Sequence, residues 1–203
     1  MEKMEDTTNT SRQNNFFQIC DKCRFDCCQN ARPPVTRKRK KIMENYLAVQ
    51  GLRIEKLFDN TTYAFPRETS EGFCIFFDKE TRKCLVHSVK PETCVAGPIT
   101  FDINLQTGKI EWFLKSENIC LLASVLYKDK EALERHLSSA KKELQALVRE
   151  LDAKELCAIL EIEEPETFKI GEDSLSQEIL EKITKHKRNS GVESLKASDH
   201  NKK

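Results

Sequence analysis

The sequence predicts an α+β protein in which a small cysteine-rich domain with a short antiparallel sheet is followed by a C-terminal helical region. Three observations predict it. Eight of the nine cysteines fall between residues 20 and 120. Residues 99–105 alternate, with Ile99, Phe101, Ile103 and Leu105 on one face, and Lys109–Leu114 returns across the turn Gln106-Thr107-Gly108 as the second strand of a hairpin. From about Asp129 the period changes. Leu133, Leu137, Ala140, Leu144, Leu147 and Leu151 recur at spacings of four, three, four, three and four, a narrow apolar seam on a helix.

Taken in chain order, residues 1–14 are polar and expected to be disordered. Phe16 to Asn30 is a cysteine-dense knot that Pro33-Pro34 ends. Thr36 can then cap a helix running to about Gln50, with Gly51 as its stop. Leu52 to Ser70 reads as loose and partly extended. Phe73–Phe77 and Cys84–His87 read as short strands around the polar turn Asp78–Lys83, ahead of the hairpin at 99–114. Beyond the long helix, Lys154–Ile162 and Ser174–His186 predict two more helices, the first ending before Pro165. The expected division is a cysteine-cluster domain over 15–125, a helical appendage over 126–188 and a disordered tail over 189–203.

Charge and composition narrow the function classes. Thirty-four basic residues nearly cancel thirty-three acidic ones, so no global field favours a polyanion. No run approaches the roughly 18 apolar residues of a membrane span. Met1 to Asn14 lack the apolar segment of a secretory signal. The expectation is an unexported, cytoplasmic protein with no membrane partner. In a reducing compartment nine cysteines favour metal or redox chemistry over disulfides; in a secreted chain they would read as a disulfide frame, which their odd number weakens.

The cysteines are ordered as Cys20-x2-Cys23-x3-Cys27-Cys28, then Cys74, Cys84 and Cys94 at intervals of ten, then Cys120. A C-x2-C pair lets one tight turn aim two thiolates at one ion, as zinc sites require. Thiolates also hold iron–sulfur clusters, commonly four to a cluster. Neighbouring side chains in an extended backbone diverge, so Cys27 and Cys28 suit two nearby metal centres or one polynuclear centre. Eight thiolates match two four-cysteine sites. The candidate ligands are therefore Cys20, Cys23, Cys27, Cys28, Cys74, Cys84, Cys94 and Cys120, for zinc or an iron–sulfur cluster. Cys157, isolated in the apolar run Leu156–Leu160, reads as a core residue.

The segments C-D-K-C-R-F-D-C-C, F-C-I-F-F and C-L-V-H-S-V-K-P-E-T-C-V-A-G-P together resemble the YkgJ family of cysteine-cluster proteins. The resemblance implies an eight-cysteine domain that chelates zinc or iron, and it covers about Phe16 to Ala123. The family's first motif resembles C-x2-C-x2-C-C, and this chain carries one extra residue between Cys23 and Cys27. Its later motif often reads C-x-I-Y-x-x-R-P-x-x-C-R-x-F-P. Cys84, Pro91, Cys94 and Pro98 match it, while Lys90 stands in place of the arginine.

Other residues weigh less. His87 forms a C-x2-H pair with Cys84 but reads as packing. His136 flanks the seam, and His186 and His200 belong to the polar end. The run Arg37-Lys38-Arg39-Lys40-Lys41 occupies a helix's first turn, where cations are disfavoured by a few tenths of a kcal/mol each. It reads as a solvated face rather than a nucleic-acid contact, since no aromatic residue interleaves with it. No nucleotide-binding glycine loop, H-E-x-x-H or G-x-S-x-G occurs. The function read from the residues is metal binding, serving metal handling or electron transfer. The alternatives are an iron–sulfur-dependent redox or modifying enzyme and a zinc-stabilised nucleic-acid module.

Overall fold

A computed structural model describes Ile19 and residues 27–164 and 166–189. Cys20, Cys23, His200, the segment 1–14 and residues 190–203 lie outside the described residues. Helix α1 spans Arg37–Val49. Strands β1 (Phe58–Asn60) and β2 (Ala64–Pro66) form one small antiparallel pair, and β3 (Phe77–Asp78) and β4 (Lys83–Cys84) another. A 3₁₀ turn at His87–Val89 and the short helix α2 (Glu92–Ala96) lead into β5 (Ile99–Asn104) and β6 (Lys109–Lys115). Helices α3 (Leu121–Lys128), α4 (Lys130–Glu150) and α5 (Ala153–Leu160) follow, then β7 (Thr167–Ser174) and α6 (Gln177–Asn189). The α+β class is as expected from the sequence.

Helix ends lie where the capping residues put them. The Thr36 hydroxyl accepts from the Arg39 N–H at 3.0 Å, satisfying a donor that the first turn would leave bare. At the other end Gly51 adopts φ +71°, Leu52 N–H reaches Leu47 O at 3.0 Å, and Gly51 N–H reaches Ala48 O at 3.1 Å. That paired closure needs a left-handed residue, which glycine supplies without strain. Asp129 caps α4 through the Ala132 N–H at 2.9 Å. Asp152 and Glu155 cap α5 reciprocally, at 2.8 and 2.9 Å.

The expected hairpin forms, paired from Ile99 opposite Leu114 to Asn104 opposite Lys109, so that Leu105 falls in the turn rather than at the end of the strand. Its inner face carries Ile110, Trp112 and Leu114, all buried. The seam on α4 is covered within the chain: Ala140, Leu144, Leu147 and Leu151 share one core with that sheet face, with Leu156 of α5 and with Ile179 and Ile183 of α6. Each of these leucine and isoleucine side chains contributes about 1.5–3 kcal/mol by leaving water. A second, smaller core joins Val35, Met43 and Leu47 of the α1 region to Cys74, Phe76 and Val86.

Several expectations need correction. The region expected as a helical appendage also contains β7, between its second and third helices, which pairs antiparallel with β6 and completes a three-stranded sheet in the order β5-β6-β7. Its sequence, TFKIGEDS, is too polar to signal a strand; as an edge strand it needs only one covered face and one bonded side. Glu111 lies opposite Glu172 across the pair, and Lys169 bonds both carboxylates at 2.7 Å, offsetting their repulsion. The helical texture starts at Leu121, eight residues before Asp129. The loose segment Leu52–Ser70 holds the β1–β2 pair. The strand expected over Phe73–Phe77 is reduced to its last residue, because Phe77 N–H turns back to Cys74 O at 2.8 Å. Cys84–His87 likewise gives way after Cys84 to the 3₁₀ turn. Among the described residues no helix is long and apolar enough to cross a membrane.

Candidate metal centre

Four separate stretches of chain bring cysteines within electrostatic reach of one another, and three of them, carrying Cys28, Cys74 and Cys84, do so at the smaller core. Cys27 and Cys28 lie in a turn whose continuation is laid along residues 72–74: Cys74 N–H donates to Cys28 O at 2.8 Å, Asn30 N–H to Gly72 O at 2.7 Å, and Gln29 bridges Phe73. The close approach at Gly72 suits glycine because φ is +80°; a Cβ would also stand 2.5 Å from Asn30 Oδ1 and push that side chain aside. Cys74 is buried at the bend that ends in β3. Cys84 lies in β4 directly opposite Phe77. Cys94 occupies the middle of α2.

The side chains feel one another. The Cys27 thiol is lowered to about 6, first by a hydrogen bond from Cys28 and then by the nearby Lys90 and Lys115 ammonium groups. Cys28 keeps its proton by making that bond and is pushed up, with burial and the neighbouring Cys27, Cys94 and Cys74 acting in the same direction. Burial raises Cys74 to about 11, with Cys84, Glu68 and Cys27 adding to it. Burial is also the main cause of the upward shifts of Cys84 and Cys94, each partly relieved by Lys90. Five thiols thus share one electrostatic neighbourhood, in which Lys90 favours the thiolates of Cys27, Cys84 and Cys94 and Lys115 that of Cys27. Several thiolates cannot be held there without added positive charge, which is the chemistry a bound metal cation supplies.

Among the described residues no group of three or more His, Cys, Asp or Glu is set around a point as metal ligands are. Cys27 and Cys28 are joined to each other instead. The donors suit a thiophilic metal in kind, and Cys20 and Cys23, the other half of the N-terminal quartet, lie outside the described residues. Cys120 immediately precedes α3 without a side-chain capping bond and packs, with Ile19, against the core of the three-stranded sheet. Cys157 is buried in that same core, as its apolar surroundings predict. His87 is exposed in the 3₁₀ turn.

Three features here escape a reading of the sequence. Lys90 acts electrostatically on the Cys27, Cys84 and Cys94 thiols, although only its place before Pro91 marked it. Glu92 is buried at 3% exposure and accepts a hydrogen bond from Thr36 Oγ1 at 2.6 Å. His136, read as a flank residue, donates from Nε2 toward the carbonyls of Ala96 and Gly97 at 3.1 and 3.0 Å. The basic run also changes meaning. Arg39 pairs with Glu92 and Glu143, and Lys40 lies 5.0 Å from the Phe58 ring centre, so two of its five cations serve packing.

No solved structure matches the chain. An uncharacterized protein of Methanocaldococcus jannaschii is 32% identical over 109 residues, covering 50% of this chain and 57% of that protein. The chain therefore aligns with little more than half the length of that relative. The family described as "Putative zinc- or iron-chelating domain" matches residues 19–121, a run that opens one residue before Cys20 and closes one residue after Cys120. The chain belongs to that family.

Proposed function

We propose that the chain binds zinc or an iron–sulfur cluster through the thiolates of Cys20, Cys23, Cys27, Cys28, Cys74, Cys84, Cys94 and Cys120, and that it serves metal handling or electron transfer in the cytoplasm. The observation that carries this reading is the convergence of Cys27, Cys28, Cys74, Cys84 and Cys94 from four chain segments into one electrostatic neighbourhood. Ile19 and Cys120 pack against the same hydrophobic cluster, which supports bringing the chain that enters Cys20 toward Cys120. The metal-binding unit in this reading is 15–125, with the helices after it as an appendage that braces the sheet. A zinc ion would lend the small core folding energy, and an iron–sulfur cluster would supply an electron-carrying centre.

The test is to purify the full chain without oxygen and measure zinc, iron and acid-labile sulfide. The expected result is stoichiometric metal. Sulfide in proportion to iron identifies a cluster, and zinc without sulfide identifies thiolate zinc sites. A folded protein that retains neither metal and takes up neither on addition refutes the proposal.

A further inference from the structure

Helix α2 is five residues long, too short to hold its shape or position alone, since helix nucleation is unfavourable and repaid only over longer runs. Its placement comes from its two ends. At the first, Glu92 Oε1 accepts from Thr36 Oγ1 at 2.6 Å and stands 3.6 Å from Arg39 Nε. Arg39 in turn pairs with Glu143 of α4, so one partly buried chain of charge ties α1, α2 and α4 together. At the second end, the carbonyls of Ala96 and Gly97 meet Nε2 of His136, also on α4. Residues two apart on an α-helix lie about 200° apart around its axis, so Glu92 and Cys94 face opposite ways. The carboxylate grips the back of the helix, while the thiol on the front lies within electrostatic reach of Cys74, Cys84 and Cys27.

Folding alone does not account for this carboxylate. Its second oxygen, Oε2, is buried with no hydrogen-bond partner among the described residues, as is Thr93 Oγ1 beside it. A buried polar atom left unsatisfied costs about 1–3 kcal/mol. An apolar side chain would fill the space without that cost but would not fix the rotation and height of α2 against two other helices.

We infer that Glu92 is a positioning residue for Cys94: the Thr36–Glu92–Arg39–Glu143 linkage sets α2 so that this thiol meets the metal. The inference rests on the metal-binding reading above. Partners that orient a ligand without touching the metal commonly change its affinity by about 10–100-fold when removed.

The experiment titrates the full chain with Zn(II) against a chromophoric chelator and with Co(II), whose thiolate-to-metal absorbance reports the thiolates bound per ion. Glu92→Gln is compared with Cys94→Ser, which removes the thiol itself, and with Trp112→Phe. The latter breaks the Trp112–Asp173 hydrogen bond in the three-stranded sheet and leaves the Thr36–Glu92–Arg39–Glu143 linkage untouched. Glu92→Gln is expected to bind Zn(II) at least about tenfold more weakly and to lose Co(II)–thiolate absorbance toward the Cys94→Ser level. Trp112→Phe is expected to melt lower with both properties intact. Should Glu92→Gln melt lower while keeping affinity and absorbance, its role is merely structural and the inference falls. Should the parent protein bind neither ion, the metal-binding reading falls first and takes this one with it. If Glu92→Gln does not fold, Arg39→Met, which removes the link to α4 and spares the Thr36 hydrogen bond, decides by the same two measurements.

Discussion

The backbone N–H of Cys74 donates to the carbonyl of Cys28 at 2.8 Å, joining two cysteines that are forty-six residues apart in the chain. A thiol pair brought together by backbone bonding keeps its spacing when a side chain changes, so ligand and scaffold can be tested separately. Cys28→Ser and Cys74→Ser are each expected to lower bound metal, because serine keeps the backbone bond and removes the thiolate. Cys157→Ala, in the other core, should leave metal content unchanged and cost on the order of 1 kcal/mol. Metal analysis of the three variants, with chemical denaturation of the third, checks this. Equal metal in all three would remove Cys28 and Cys74 from the ligand set.

Removing metal should loosen one core and spare the other. The cluster around Val35, Met43, Leu47 and Phe76 is small, whereas the sheet core buries Trp112, Leu114, Leu144, Leu147 and many more. Hydrogen exchange followed by mass spectrometry, with and without chelator, is expected to show faster exchange across 28–94 and unchanged protection at the β5–β6 amides. Uniform loss of protection would mean that the two cores unfold as one unit.

Acid should weaken the hold of α4 on α2. Burial lowers the affinity of His136 for a proton below the ordinary value of 6.5, so the unfolded chain takes up the proton first. Stability is thus fully present above pH 6.5 and is lost progressively as pH falls from there toward the depressed folded value. His136→Gln keeps an N–H donor and removes the titration. In metal-free protein, urea unfolding at pH 7.5 and 5.5 should show a larger loss for the parent than for His136→Gln. Equal losses would exclude His136 as the source.

The seam on α4 should behave as the interior of one chain. Leu144 is fully buried among residues of the sheet, α5 and α6. Leu144→Ala is expected to cost about 2–5 kcal/mol, with no dependence on protein concentration. A midpoint that rises with concentration would show that a second molecule covers this face.

The edge strand should depend on its lysine. Lys169→Glu would replace the cation between Glu111 and Glu172 with a third anion, and a loss of about 1 kcal/mol is expected, shrinking as salt is added. Denaturation at low and high ionic strength checks it; a loss that salt does not alter would point to packing instead of charge.

Local rules were enough wherever one residue's chemistry decides an outcome. Thr36 and Gly51 bounded α1, the alternation at 99–114 with its glycine turn set a hairpin, and the four-three repeat set α4. The order of the cysteines indicated metal chemistry, and their arrangement carried the resemblance to a chelating family. What the chain could not declare in advance are the features that exist only between distant segments. β7 offers only Phe168 and Ile170 as apolar residues and becomes a strand because β6 offers it an open edge and Lys169 a pair of carboxylates. Arg39 lies in a run that reads as solvated, yet it is drawn inward because Glu92 and Glu143 arrive from two other helices. Lys90 acts electrostatically on thiols from three other places in the chain. Burial, charge pairing and edge bonding are properties of neighbours, and these neighbours are set by the fold rather than by adjacency in sequence.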